Sequence, residues 1–142
     1  VNDVAIVHTA KAMTAPRAAI LLSRRVEKGE GAMIGGFGQT SPSDSAAEQL
    51  YAGRAVIKNA TDDHIRIDFT SDQSHPCYGD SGGALFVKEG DELAIAGVVS
   101  QSDPSVSENN ICKVGDKTLY TNIEKSAVAS FVLSEVPDAI VK

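Results

Sequence analysis

The 142 residues predict an all-β domain closed by a single C-terminal helix. Three observations carry this. Short apolar or alternating runs recur along most of the chain, as buried and half-buried strands require. Polar stretches containing Gly, Ser or Asp separate them, in the manner of hairpin turns and loops. From Ile123 onward the apolar spacing changes from the period of a strand to that of a helix. Many short strands with Gly-rich turns suggest a sandwich or a barrel, with the helix packed on its outside.

Taken in order, Asp3-Val4-Ala5-Ile6-Val7 is the first apolar run. Ala18 to Leu22 is the second, and Ala32-Met33-Ile34 the third, leading into Gly35-Gly36-Phe37-Gly38. Gln49 to Lys58 follows. His64-Ile65-Arg66-Ile67-Asp68-Phe69 alternates strictly, the mark of a half-buried strand. Ala84 to Val87 and Leu93 to Ser100 read as a hairpin joined by the polar Lys88-Glu89-Gly90-Asp91-Glu92. Lys117 to Ile123 is the last strand. Ile123, Ala127, Phe131 and Val132 then recur at helical spacing, with Asn122 as N-cap and Pro137 as stop. Thr40 to Ala46 and Ser102 to Asn110 read as loops.

The chain is long enough for one domain with its own core. Its net charge of -6 argues against a nucleic-acid partner, which calls for a basic surface. No apolar run approaches the roughly 18 residues of a membrane span. No spacing of metal-ligand type is present, and no cofactor or metal is expected. The two cysteines, Cys77 and Cys112, are compatible by count alone with buried thiols or with a disulfide.

The chemistry concentrates in Pro76-Cys77-Tyr78-Gly79-Asp80-Ser81-Gly82-Gly83-Ala84-Leu85. Glycines crowded about a serine allow positive φ and close backbone approach. An oxyanion hole needs both, because main-chain N–H groups must aim at the charge developing on a carbonyl oxygen. A bare Gly-x-Ser-x-Gly is equally compatible with a tight turn. The full Gly79-Asp80-Ser81-Gly82-Gly83 run is far more specific, arising by chance on the order of once in ten thousand chains of this size.

Cys77 to Gly83 resembles the nucleophile motif of the trypsin- and chymotrypsin-like serine peptidases. Asn2 to Val7 resembles the segment that carries that family's catalytic aspartate. Gly31 to Gly38 is similar to the strand and turn opening its second barrel, Val98-Val99-Ser100 to the strand that pairs with substrate, and Leu119 to Ile123 to its C-terminal end. The resemblance covers nearly the whole chain, in family order. It implies a chymotrypsin-like double β-barrel, present here mainly as the second six-stranded Greek-key barrel with its C-terminal helix. Residues 1–24 would be the last strand of the first barrel and the crossover, and residues 25–142 the second barrel. It also implies a secreted or periplasmic endopeptidase with a Cys77–Cys112 disulfide, which an oxidising compartment allows.

Roles follow by resemblance. Ser81 would be the nucleophile, and the N–H groups of Gly79 and Ser81 the oxyanion hole. Asp3 would orient the catalytic imidazole, although a lone aspartate there would read as a turn residue. Asp80 would pair with the amino group freed by activation cleavage; Val1 is not expected to supply that amine, since it directly precedes the Asp3 segment. The primary pocket would have His75 at its base, Ser100 and Ser102 on one wall, Thr118 opposite and Tyr78 at the mouth. Lacking an aspartate at its base, it is not expected to take Lys or Arg. A small P1 side chain is expected, with an acidic one as the alternative, because imidazolium and hydroxyl groups both donate to carboxylates.

The general base is the missing piece. The three histidines are His8, His64 and His75. His8 follows Asp3 by an odd number of residues, which puts it on the opposite face of a strand. His64 starts a strand, and His75 is claimed by the pocket. In the family the histidine precedes the aspartate, so it is expected upstream of residue 1, on an N-terminal barrel segment that would be this chain's partner beside its protein or peptide substrates. The competing expectation is a catalytically silent homologue that works as a binding module.

Overall fold

The computed structural model describes residues 2–41, 43, 45 and 49–142. Val1, weighed above for its amine, lies outside the described residues, as do Pro42, Asp44 and Ala46 of the first expected loop. The strands are β1 (Ala19–Ile20), β2 (Gly31–Gly36), β3 (Tyr51–Ala60), β4 (His64–Asp68), β5 (Ala84–Glu89), β6 (Glu92–Ser102) and β7 (Lys117–Asn122), followed by helix α1 (Ser126–Glu135). A short 3-10 turn, Glu108–Asn110, lies in the loop after β6.

Six strands close on themselves in the order β6-β5-β2-β3-β4-β7-β6, all neighbours antiparallel. The barrel interior follows from alternation. Ile65 and Ile67 of β4, Leu85 and Val87 of β5, Ile57 of β3 and Tyr120 of β7 all point inward and are fully buried. Their neighbours in sequence point outward, as the two-residue period of a strand demands.

The β5–β6 hairpin turns more tightly than the polar run suggested. The ladder continues to Glu89 opposite Glu92, leaving Gly90, at φ +62°, and Asp91 as the turn. Two glutamates face to face would repel, but each has its own cation: Arg24 Nε lies 2.7 Å from Glu89, and Lys142 Nζ 2.6 Å from Glu92.

A second, outer core fixes the ends of the chain. Val128 and Val132 of α1 pack on Ile20 and Ile123, with Val4, Ile6, Ile95 and Val98 around them. β1 runs parallel to β6, and the C-terminal residues bond back to it, from Ile20 N to Ile140 O and from Lys142 N to Ile20 O. Ala19 and Leu21 also enter the main core, so packing crosses the expected division at residue 24.

Three local expectations are corrected. Residues 3–7 form no strand; no ladder reaches them, and the alternation of Val4 and Ile6 is satisfied by packing against α1. The helix starts at Ser126, so Asn122 is not its N-cap. Instead Asn122 ends β7, where its side chain accepts from Glu124 N and donates to Thr61 O. The later start also shifts the buried face to Val128 and Val132, leaving Ala127 and Phe131 exposed.

Candidate functional site

The loop from Gly79 to Gly83 connects the disulfide-bonded Cys77 to β5. Gly79 has φ +94° and Gly82 φ +81°, conformations that side chains disfavour. Three of its amides are engaged internally: Asp80 N on Cys77 O, Gly82 N on Val99 O and Gly83 N on Asp80 O. Among the described residues, the N–H groups of Gly79 and Ser81 have no acceptor, and both residues are exposed. Main-chain N–H groups without an internal acceptor are open to a ligand or to water, and an oxyanion hole would need both to aim at one point.

Asp80 turns away from Ser81 and fixes the loop from behind. Its Oδ1 accepts from Gly38 N at 2.8 Å and its Oδ2 from Cys77 N at 2.9 Å. Close approach explains the glycines opposite: a Cβ on Gly36 would lie 1.9 Å from Asp80 Oδ1, and one on Gly38 2.4 Å from Asp80 Cγ. Asp80 thus closes one side of a cavity of about 360 Å³ that also reaches His75, Pro76, Val99, Tyr120 and the disulfide. Cys77 and Cys112 are joined, with Cα atoms 5.1 Å apart. The Tyr120 hydroxyl is buried without a hydrogen-bond partner among the described residues; burial first, then the Asp80 charge, pushes its pKa up.

Asp3 is pinned from both ends. Ser100 Oγ donates to Asp3 Oδ2 at 2.8 Å, and Thr121 Oγ1 donates to the Asp3 carbonyl at 2.9 Å. Because Gly82 is held by Val99 and Asp3 by Ser100, adjacent residues of β6 carry both the serine loop and the aspartate.

His75 sits deep, its side chain 1% exposed. Its ring stacks on Phe69 with centroids 5.0 Å apart, and Nε2 lies 2.9 Å from Thr118 Oγ1. Thr118 stands opposite Ser102 in the β6–β7 ladder, so these three expected pocket residues come together. Ser100 is engaged with Asp3, and Tyr78 is exposed, with its carbonyl accepting from Gln39 N. Sequence reasoning passed over Thr121, Phe69 and Asp116. Asp116 is 1% exposed, and its Oδ2 lies 3.8 Å from His75 Nδ1. The other histidines lie elsewhere: His8 Nε2 is 3.4 Å from Glu135 on α1, and His64 opens β4. Among the described residues, no cluster of side chains is suited to hold a metal ion. Among the described residues, no helix is long and apolar enough to cross a membrane.

The fold has solved counterparts. A mutant of human heparin binding protein superposes with a TM-score of 0.66 at 16% identity, over 92% of this chain and 55% of that one. The chain therefore spans about half the length of the structure it matches, and the likeness at this identity concerns the fold. No curated protein sequence matches the chain. The profile of the family described as Trypsin matches residues 1–125. With that match over most of its length and a closed barrel of chymotrypsin type, the chain belongs to the trypsin family.

Proposed function

We propose that this chain is the C-terminal part of a secreted serine endopeptidase that cleaves peptide bonds through an acyl-enzyme on Ser81. The observation that carries this reading is the pair of unengaged N–H groups, Gly79 and Ser81, beside an exposed Ser81 hydroxyl. In that reading Ser81 Oγ attacks the scissile carbonyl, and the two N–H groups hold the resulting oxyanion. Asp3, itself held by Ser100, orients an imidazole that takes the Ser81 proton and passes it to the leaving amine. That imidazole comes from a companion segment, the N-terminal barrel. Of the chain's own histidines, His8 lies against Glu135 and His75 against Thr118, while His64 opens β4. Exposed apolar side chains on the N-terminal leg, Val7 at 83% and Met13 at 72%, support such a docking partner. Asp80 receives the amino group freed by activation cleavage, at the edge of the cavity that it closes. The disulfide supports an oxidising location.

The competing reading is a silent, binding homologue, favoured by the engagement of His8 with Glu135 and of His75 with Thr118. Heparin binding, named for the solved neighbour, does not fit this chain: its pI of about 4.9 repels a polyanion. The test is intact-mass spectrometry before and after a fluorophosphonate, with the companion segment present. We expect one adduct, on Ser81, that Ser81→Ala abolishes together with hydrolysis. Full hydrolysis by Ser81→Ala would overturn the assignment.

A further inference from the structure

His75 and Asp116 are each 1% exposed, and their relation sets what the inner end of the site can recognise. Both Asp116 oxygens already accept main-chain N–H groups, Oδ2 from Cys112 and Oδ1 from Lys117, each at 2.7 Å. The carboxylate therefore turns acceptor lone pairs, and no donor, towards the ring. His75 Nδ1 faces Asp116 Oδ2 at 3.8 Å, too long for a hydrogen bond yet close enough to bias the ring. Among the described residues Nδ1 makes no well-formed hydrogen bond, and the Pro76 carbonyl is the other acceptor that acts on the ring. A second carboxylate that acts on the ring is Asp68 at the end of β4, ion-paired with Arg66 at 2.9 Å. Burial outweighs Asp116, the Pro76 carbonyl and Asp68, and holds the ring below its ordinary pKa, hence neutral at pH 7.

A neutral imidazole has one N–H and one lone pair. A lone pair on Nδ1 would confront the Asp116 carboxylate, whereas an N–H there is attracted to it. Nε2 is then the acceptor, and the hydroxyl of Thr118, 2.9 Å away, donates to it. We propose that Asp116 fixes His75 as its Nδ1–H tautomer and commits the Thr118 hydroxyl to Nε2, so that the base of the pocket offers no free donor and the Ser102 hydroxyl on its wall is left to face a P1 side chain alone, which makes the pocket disfavour side chains ending in a carboxylate. This rests on the peptidase reading, in which these residues form the base of the primary pocket. It decides between the two occupants left open by the sequence, in favour of a small neutral P1. Asp116 acts through His75 and is a positioning residue.

Long-range ¹H–¹⁵N correlation spectra of the protein labelled at histidine test the tautomer directly at pH 7.5, with His8→Gln and His64→Gln assigning the signals. A pyrrole-type shift at Nδ1 with a pyridine-type shift at Nε2 is expected. The reverse pattern, an averaged pattern or an imidazolium would overturn the proposal. Asp116→Asn should convert the single pattern into a mixture of tautomers; if that variant does not fold, the spectrum of the unaltered protein still decides. With the companion segment present, P1-Ala substrates should be cleaved roughly 10- to 100-fold faster than P1-Glu substrates, because a buried carboxylate would have at most the Ser102 hydroxyl to pair with. Equal rates would overturn the specificity claim even with the expected tautomer. Hydrolysis of neither substrate would instead sink the peptidase reading, while the spectra would still report on Asp116 and His75.

Discussion

Ser100 Oγ donates a hydrogen bond to Asp3 Oδ2 across 2.8 Å, tying β6 to the N-terminal leg that carries the aspartate. The leg has no ladder of its own, so this bond, the Thr121 bond to the Asp3 carbonyl and the packing of Val4 and Ile6 on the outer core hold it. Ser100→Ala should leave the barrel intact and let the carboxylate swing. A hydrogen bond to a charged group at an exposed position contributes about 1–2 kcal/mol, so kcat/KM should fall roughly 5- to 30-fold. Steady-state kinetics on the assembled enzyme, with an unchanged far-UV spectrum, check this.

Gly38→Ala should damage the site without touching it. The new Cβ would lie 2.4 Å from Asp80 Cγ, so the Asp80 carboxylate must move and release Gly38 N, Cys77 N or both. The loop presenting the Gly79 and Ser81 N–H groups then loses its support from behind. Acylation should slow by about two to three orders of magnitude, the cost of an impaired oxyanion hole. Substrate affinity should change far less. Phosphonylation rates separate the two effects.

The Cys77–Cys112 bond links residues 35 apart in sequence and joins the serine loop to the segment before β7. Each cysteine is also seated on a carboxylate through its N–H, Cys77 on Asp80 and Cys112 on Asp116. Replacing both with alanine should cost about 2–4 kcal/mol, chiefly by freeing the unfolded chain. Because the cross-link stabilises both loops, His75 should also become accessible. Urea unfolding reads the first effect, and diethyl pyrocarbonate labelling of His75 the second.

How much of this was legible depended on whether residue type or tertiary context set the structure. Ile65 and Ile67, or Leu85 and Val87, announce their strands because alternation is a local property. The serine loop was legible because positive φ at Gly79 and Gly82 needs glycine itself. Residues 3–7 misled because an apolar alternation serves equally for ladder pairing or for packing on a helix, and only the fold chooses. The helix face slipped because Ile123, counted as helical, belongs to the turn before it. Asp116 gave no signal at all. A lone aspartate after Gly115 reads as a turn residue, and only the return of β7 past β4 brings it to His75.

The buried histidine also predicts an acid-sensitive stability. Burial, the largest influence, lowers the His75 pKa in the folded protein, with Asp116 opposing it. In the unfolded chain the ring should titrate near its ordinary value of about 6.5. Above that pH both states hold it neutral, and it contributes no slope. As the pH falls below about 6.5, the unfolded chain takes up a proton that the folded chain still refuses, so stability falls until the folded pKa is passed. Glu30, Asp63, Glu92 and Asp103 have depressed pKa values, and their contribution is lost only as the pH falls through the ordinary carboxylate range of about 4 and below, under about pH 5.5. His75→Gln keeps a polar group for Thr118 but cannot take up that proton. Urea midpoints at pH 7.5 and 5.5 should therefore differ more for the unaltered protein than for His75→Gln. Equal differences would mean that the ring is not held neutral by burial.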